Sequence, residues 1–245
     1  MLDKFRTLKT TARIHLRDSY TPMVLSIFLS SIILYLISLP FANPFSYAAL
    51  RNLSSSENYL PGPMSLFIAF LGNILVSLLS FVVSCGILYM NLKRTKEEKV
   101  EIKHLFYPFQ HRPDQYIVIY LLMIAASIVC CIPGCIAFVF SIANNTLPVI
   151  SILLFLIGAI ISVYIFLRWE MAPFLLLESD GSVSAIHALR KSFQITDGQV
   201  LSLFLLHLSF IGYYILILFS FGIAAFWVAP YISQTITEFY LSIKA

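Results

Sequence analysis

The sequence predicts an all-α integral membrane helical bundle with about six transmembrane helices and two amphipathic interfacial helices. Three observations support this fold class: 59% of the 245 residues are apolar, only 11% are charged, and the apolar residues are clustered in long runs. Soluble globular chains contain about 45–50% apolar and about 25% charged residues. The composition therefore argues against a soluble enzyme. It also argues against disorder, which requires low hydrophobicity and high charge.

Residues 1–20 have the pattern of an amphipathic helix that precedes the first span. An apolar stripe at helical spacing lies beside a basic stripe, and such a helix lies in the headgroup plane with its cations toward anionic lipid. The apolar stripe is Phe5, Leu8, Ala12 and Leu16, and the basic residues of the helix are Lys4, Arg6, Lys9, Arg13 and Arg17. We expect these basic residues to contact anionic headgroups, so the first predicted partner is the bilayer.

Six apolar runs approach the length of about 20 residues that a helix needs to cross a hydrocarbon core of about 30 Å. They cover 23–39, 64–90, 116–140, 148–167, 200–219 and 221–237. Each run should be helical, because lipid offers no partner to an unpaired backbone group. The last two runs meet at 220–222 and should form a tight hairpin. We treat 1–245 as a single membrane domain.

A second amphipathic segment, 182–196, separates the fourth and fifth spans. Its apolar residues Val183, Ile186, Leu189 and Phe193 share a helical face. Asp180 or Ser182 can cap its start, and Gly198 suits a left-handed exit at its end. Two interpretations remain open for the amphipathic helices: both anchor their loops, or one forms a docking surface for a membrane protein partner.

The basic residues predict the orientation of the chain. Fifteen of the sixteen Lys and Arg residues precede the first span, follow an even-numbered span or end the chain, and only Arg51 lies in a loop on the other side. We therefore expect a multi-pass protein of the cell membrane with both termini in the cytoplasm. Because topology explains the net charge of +4, no nucleic-acid partner is predicted.

Ionisable groups inside spans are the usual pointers to function in membrane proteins. His207 lies within the fifth span, and Arg168 and Glu170 lie at the end of the fourth. Arg168 and Glu170 are too close in sequence to share a helical face, so we expect their partners on other helices, with Glu238 a candidate for Arg168. His207 has two interpretations, a hydrogen bond between helices or a position on a proton or substrate path.

Two prolines fall inside predicted spans. Pro133, followed by Gly134, should interrupt the third span, and Pro230 should interrupt the sixth, because proline removes a backbone hydrogen bond and kinks a helix. Broken helices can build a substrate site, and they also occur as packing devices. Pro133, Pro230, His207, Arg168 and Glu170 are therefore the candidate functional or gating residues.

The sequence contains no recognisable catalytic or cofactor-binding pattern. Phosphate-binding glycine loops, HExxH and Ser/His/Asp sets are missing, and the cysteines (Cys85, Cys130, Cys131 and Cys135) have no histidine or acid beside them. We therefore predict that the protein is not an enzyme and has no cofactor, metal site or catalytic residue.

The second half of the chain contains an ordered series of short motifs. They are Ile132-Pro133-Gly134, Arg168-Trp169-Glu170-Met171-Ala172-Pro173-Phe174, Ala188-Leu189-Arg190-Lys191-Ser192, Leu208-Ser209-Phe210-Ile211-Gly212 and Pro230-Tyr231. This series resembles the membrane family called domain of unknown function 975, best over 132–240. The resemblance implies an integral membrane protein of mainly Gram-positive bacteria and offers no catalytic residue. Where the family tends to have an acid, this chain has His207.

Three functions fit these observations. The first is a non-enzymatic accessory or scaffold of a membrane or envelope process, which the scarcity of buried charge and the amphipathic helices favour. The second is a small transporter or lipid-handling protein that uses the proline-containing spans, which requires Pro133, His207 and Pro230 to converge on one cavity. The third is an immunity protein against a membrane-active peptide, which fits the size and hydrophobicity.

Overall fold

The computed structural model describes residues 2–17, 20–41, 60–96, 98–144, 148–179 and 182–244. Helices and short 3-10 turns make up the regular structure of these ranges, and they contain no strand. Most of the predicted loop between the first two spans, 42–59, lies outside the described residues. The predicted all-α fold class is confirmed.

The helices are numbered here in chain order. They are α1 (Leu2–Leu16), α2 (Tyr20–Ser38), α3 (Pro63–Thr95), α4 (Tyr107–Gln110), α5 (Pro113–Ala143), α6 (Val149–Trp169), α7 (Ala172–Glu178), α8 (Ala185–Ile195), α9 (Val200–Leu208), α10 (Ile211–Phe219) and α11 (Ala225–Lys244). A 3-10 turn at Leu39–Phe41 extends α2, and another at Ile102–Phe106 leads into α4.

Five segments are long and apolar enough to cross a membrane by length and composition. They are Tyr20–Phe41, Pro63–Thr95, Pro113–Ala143, Val149–Glu178 and Val200–Phe219. The predicted sixth span, 221–237, is not among them. Helix α11 begins only at Ala225 and continues to Lys244, and it buries polar side chains such as Gln234 and Glu238 inside the protein. The molecule is a helical bundle of the membrane type with five candidate spans.

The fifth candidate span is not one continuous helix. α9 ends at Leu208 and α10 begins at Ile211, with a turn at Ser209 and Phe210. The Ser209 carbonyl accepts a hydrogen bond of 3.2 Å from the Lys9 ammonium group. α9 and α10 have nine residues each. Such a helix is about 14 Å long, roughly half the thickness of a hydrocarbon core.

The chain reverses direction after α10 in a tight turn at Phe221 and Gly222. Both residues have left-handed backbones, with φ of 52° and 87°, and the Gly222 amide bonds to the Ile217 carbonyl at 2.9 Å. α11 then returns along α10, with the rings of Tyr213 and Tyr231 5.6 Å apart. We call 211–224 the hairpin. The tip of the hairpin is apolar and exposed, with Phe221 97% exposed.

Four long helices meet the remaining elements at one end of the bundle. The end of α3 bonds to α1 through the Arg94 guanidinium and the His15 carbonyl. The start of α5 bonds to α8, where the Gln115 side chain accepts from the amide of Ala185 at 2.7 Å. The start of α2 and the end of α6 lie at this same end. We call α1, 102–110, α7, α8 and the second half of α11 the basal layer.

Burial is concentrated in the basal layer. In the candidate spans only 6% to 17% of the most apolar window is buried, so most of their apolar side chains face outward, as in helices that contact lipid. In contrast, half of the residues of α11 are buried, among them Phe239 and Tyr240. The protein core therefore lies at the basal end, and the spans extend from it.

The two prolines do not interrupt their helices, contrary to the sequence prediction. Pro133 lies inside α5, which is helical throughout 113–143, and Pro230 lies inside α11. Gly134 allows close packing there, because a Cβ at this position would come within 2.8 Å of the Phe155 ring of α6. The structure instead breaks the helix at 209–210, where the sequence contains no proline.

Candidate functional site

Arg168, at the end of α6, is almost completely satisfied by contacts within the protein. Its Nε and Nη2 donate to the Tyr164 hydroxyl at 3.0 and 2.9 Å, Nη1 donates to the Phe193 carbonyl at 3.0 Å, and Nη2 pairs with Asp197 at 3.0 Å. The guanidinium also lies 4.1 Å from the centroid of the Phe193 ring. Arg168 thus clamps α8 to α6, and its partner is not the predicted Glu238.

Further hydrogen bonds hold α8 in place. The Ser192 hydroxyl donates to the Arg168 carbonyl at 2.7 Å, which fixes the two helices from the backbone side as well. Ser184 caps the start of α8 by accepting from the His187 amide, so Ser182 is not the cap. Asp180, the other predicted cap, lies outside the described residues. The left-handed exit at Gly198 is present, with φ of 68°.

The apolar face predicted for α8 is only partly the face that the structure buries. Leu189 is buried, but Ile186 and Phe193, assigned by the sequence to the same face, are 63% and 44% exposed. The face that contacts the bundle consists mainly of small residues: Ala185, Ala188, Leu189 and Ser192. Small side chains let backbones approach closely, so α8 presents its large apolar and basic residues outward.

His207 of α9 has an acidic partner that the sequence did not reveal. Its Nε2 lies 3.0 Å from both carboxylate oxygens of Glu170, so the imidazole N–H donates to the carboxylate and ties α9 to the end of α6. The Glu170 and His207 side chains are 12% and 25% exposed. The pair is a partly exposed link between the two helices.

Pro133, His207 and Pro230 do not converge on a common cavity in the grooves that the structure describes. Pro133 is exposed on α5, Pro230 is buried in α11, and His207 contacts the end of α6. None of the three lines the groove between α1 and α11 or the groove between α2 and the start of α11. The arrangement that the transporter hypothesis required is therefore not found in this part of the chain.

The apolar stripe of α1 is covered by protein. Phe5, Leu8, Ala12 and Leu16 are all buried, and α1 packs lengthwise against α11 in the opposite direction. The direction follows from the contacts, because Lys4 lies near Phe239 and Arg13 lies near Tyr231. The helix is amphipathic as predicted, but its apolar face binds α11 instead of facing lipid.

The five basic residues of α1 differ in how they are used. Lys9 donates to the Ser209 carbonyl and lies 4.5 Å from the Phe210 ring centroid. Burial, and secondarily the charge of Arg13, lowers the pKa of Lys9. Arg13 contacts two tyrosines, and Lys4 lies 5.4 Å from the Phe239 ring. Arg6 and Arg17 are exposed, and their guanidinium groups bond to no residue in the described ranges.

A polar cluster between α1, α3 and α11 was not predicted. His15 Nδ1 lies 2.6 Å from Glu238 Oε1, and Gln234 donates to the same carboxylate at 2.8 Å. Asn91 donates to the Ser233 hydroxyl at 2.6 Å. The polar residues in the second half of 221–237 were the available signal, because a lipid-facing span does not carry Gln, Thr and Glu together.

The family model described as "Protein of unknown function (DUF975)" matches residues 3–245. The chain belongs to this family. The match confirms the resemblance seen in the second half of the sequence and extends it to nearly the whole chain. Neither the curated proteins nor the solved structures contain a match to this DUF975 chain.

The DUF975 chain thus has two kinds of charged position at its basal end. Arg168, Glu170 and His207 are engaged in contacts between helices. Arg13 and Arg17 border an open groove between α1 and α11. Among the described residues no group of three or more His, Cys, Asp or Glu side chains is arranged to hold a metal ion.

Proposed function

We propose that this protein is a non-enzymatic scaffold of a bacterial membrane process, with a cytoplasmic basal layer that binds a membrane protein partner. The observation that carries the proposal is the Arg168 clamp, in which the guanidinium is held by Tyr164 of α6 and bonds across to the Phe193 carbonyl of α8 and to Asp197 just after it, both at 3.0 Å. Charged groups near the bilayer are costly, and here they are used to fix a layer of short helices. A rigid layer held at the membrane surface is what an accessory subunit needs.

The orientation that we propose follows from charge and length. Lys and Arg residues are concentrated at the basal end, which favours the cytoplasmic side. α2, α3, α5 and α6 are each long enough to cross the bilayer. The hairpin is too short to cross and enters from the basal side as a re-entrant loop, tolerated because its turn is internally hydrogen bonded. Four crossings leave both termini in the cytoplasm of a plasma-membrane protein.

Cysteine labelling in a background without the native cysteines tests this topology. A cysteine at Ser56 should react with an impermeant reagent on intact cells, and one at Lys99 should not. A cysteine at Ser220 separates the two arrangements of the hairpin. If 200–219 crosses the bilayer, Ser220 is external and reacts, and if the hairpin is re-entrant it does not. Reaction at Lys99 on intact cells contradicts the orientation.

The outer face of α8 is the surface that we propose for the partner. Ile186 and Phe193 are exposed there beside Arg190 and Lys191. An apolar centre with a basic rim fits a protein surface of acidic rim and apolar centre. The Arg168 clamp holds this face in a fixed orientation, which reduces the entropy lost on binding.

Affinity purification of a tagged chain from its own membrane, after crosslinking, tests the scaffold role. We expect one stoichiometric protein partner, and we expect Arg190→Glu with Lys191→Glu to reduce its recovery at least about tenfold. Lys103→Glu, which reverses one exposed charge outside α8, is the control for nonspecific effects of charge and should leave recovery unchanged. A clean preparation without a partner, or equal loss in both variants, contradicts the proposal.

A further inference from the structure

An open groove of about 780 Å³ lies between α1 on one side and α10 and α11 on the other. Its wall includes Thr10, Arg13 and Arg17 from α1, and Tyr213, Trp227 and Tyr231 from the other side. The volume is in the range of small-molecule sites, about 300–1,000 Å³. The described wall contains two arginines and no acidic residue, so this part of the groove carries a net positive charge.

A second groove of about 570 Å³ continues the first along α2 toward the tip of the hairpin. Tyr20 and Trp227 line both grooves, and the Tyr20 hydroxyl donates to the Trp227 carbonyl at 2.6 Å where they meet. The second groove is almost entirely apolar: Val24, Leu25, Phe28, Ile223 and Phe226. From Tyr20 to Phe28 the helix rises about 12 Å, nearly the depth of one leaflet.

The charged end of the combined groove contains a buried hydrogen-bond donor, the Tyr231 hydroxyl, that is available to a ligand. Tyr231 is only 8% exposed, and its buried hydroxyl makes no well-formed hydrogen bond with a described residue, although the side chains of Arg13 and Tyr213 lie beside it. Arg13 is held beside it, 5.3 Å from the Tyr231 ring centroid and 3.5 Å from the Tyr213 hydroxyl. Burial raises the pKa of Tyr231, so its O–H remains a donor at neutral pH. A buried donor without a partner costs free energy until a ligand supplies an acceptor.

We propose that the combined groove binds one anionic glycerophospholipid. Its phosphate accepts hydrogen bonds from Arg13, Arg17 and the Tyr231 hydroxyl, and one acyl chain lies between α2 and the start of α11. Guanidinium groups bind phosphate in a bidentate, charge-assisted manner. The proposal goes beyond the scaffold role and does not depend on it.

The order of basic, aromatic and apolar residues along the groove favours a lipid over other occupants. The basic and aromatic end lies at the basal surface, where headgroups lie, and the apolar end runs toward the bilayer centre. Tyr20 and Trp227 lie at the junction, the level that such side chains prefer at a membrane interface. A soluble phosphate compound would use only the first groove and would leave the second empty.

Native mass spectrometry of the full-length protein tests the proposal. The protein is reconstituted in nanodiscs of equimolar phosphatidylglycerol and phosphatidylcholine, extracted in mild detergent, and examined for retained lipid. We expect one phosphatidylglycerol per chain. Arg13→Gln with Arg17→Gln should lower its retention about 30-fold, since each cation near anionic lipid contributes roughly a tenfold or smaller factor.

Matched variants separate the site from general effects of charge and folding. Lys4→Gln with Arg6→Gln removes the same charge from the far end of α1 and should leave retention unchanged. Tyr231→Phe removes only the unpartnered hydroxyl and should lower retention about fivefold without loss of thermal stability. Tyr35→Phe, on an exposed tyrosine of α2, is its control. Equal retention in the Arg13/Arg17 and Lys4/Arg6 variants overturns the proposal.

The source of the phosphate is tested with two further probes. A phosphatidylglycerol with a photoreactive acyl chain should crosslink to peptides containing Phe28 or Phe226. Val24→Trp, which fills the apolar groove, should abolish this crosslink, and Ile160→Trp on the exposed face of α6 should not. If glycerol phosphate binds as tightly as the lipid and Val24→Trp has no effect, the site is for a soluble phosphate compound and the lipid proposal is overturned.

Discussion

Arg168 and Arg13 both lie beside tyrosine side chains, but Arg168 is buried in contacts between helices and Arg13 is exposed beside a groove. Each guanidinium lies 5.3 Å from a tyrosine ring centroid, and each contacts a tyrosine hydroxyl. Arg168 also has a backbone carbonyl and the Asp197 carboxylate, and it is 8% exposed. Arg13 is exposed beside a groove. The difference indicates that the two additional acceptors, a backbone carbonyl and a carboxylate, decide whether such an arginine stabilises the fold or is available to a ligand.

The largest expected effect is on the stability of the closed site. Arg168→Ala should lower the free energy of unfolding by about 3 kcal/mol, because charged hydrogen bonds contribute about 1.5–3 kcal/mol each and Asp197, with its side chain 77% exposed, adds little. Arg13→Ala should cost less than about 1 kcal/mol. Thermal unfolding in detergent, followed by size-exclusion chromatography, measures both. Equal losses would remove the distinction between the two sites.

The tyrosine hydroxyls should show the same asymmetry on a smaller scale. Tyr164→Phe removes an acceptor of two Arg168 N–H groups and should cost about 1–2 kcal/mol. Tyr213→Phe removes a contact of 3.5 Å to an exposed arginine and should cost less than about 0.5 kcal/mol. The same melting experiment applies, and a larger loss for Tyr213→Phe than for Tyr164→Phe contradicts the comparison.

The pair of His207 and Glu170 provides an intermediate case. A double-mutant cycle with His207→Ala and Glu170→Ala should give a coupling of about 1 kcal/mol, as found for polar contacts between membrane helices. His207→Asn should keep normal abundance and activity in cells if the pair only links α9 to α6. Loss of activity at normal abundance would instead assign the pair a role beyond packing.

The smallest effect is a local response to pH that both arginine sites should lack. His104 Nδ1 accepts from the Glu101 amide, and burial, followed by the charges of Lys93 and Lys103, lowers the pKa of His104 below 6.5. The His104 imidazole has a pKa of about 6.5 in the unfolded chain and a lower pKa in the folded chain. The contribution of neutral His104 to the stability of the fold is therefore fully present above pH 6.5, and it is lost as the pH falls toward the folded pKa. Hydrogen exchange should speed up at 101–106 below pH 6, after correction for intrinsic rates, and not at 193–197. His104→Gln should remove the response.

Hydropathy predicted the bundle because lipid forces any exposed span to be apolar and helical. Hydropathy does not distinguish an apolar stripe that lipid covers from one that another helix covers. It therefore places α1 in the headgroup plane, whereas the structure packs α1 against α11. For the same reason, hydropathy predicts a sixth span at 221–237. The first half of this segment is apolar, but its second half, with Gln234 and Glu238, lies in the protein core.

The partners of the candidate residues depend on tertiary packing that spacing does not encode. His207 and Glu170 are 37 positions apart and meet only because α9 folds back onto the end of α6. The break at 209–210 lacks a proline, and its Ser209 carbonyl accepts a hydrogen bond from Lys9, 200 positions away. For α8, the sequence predicted a shared apolar face but not which face packs against the bundle, and the structure buries the one with Ala185 and Ala188.

The antiparallel contact between α1 and α11 joins two helices that lie at opposite ends of the described residues. During synthesis α1 emerges before α11, and its partner around Tyr231 follows more than two hundred residues later. At about 5–20 residues per second, the apolar stripe of α1 has no protein partner for about 10–40 s. A membrane surface can cover the stripe in that interval, with the basic residues toward headgroups. The amphipathic pattern of α1 therefore suits its intermediate on the membrane as well as its final place against α11.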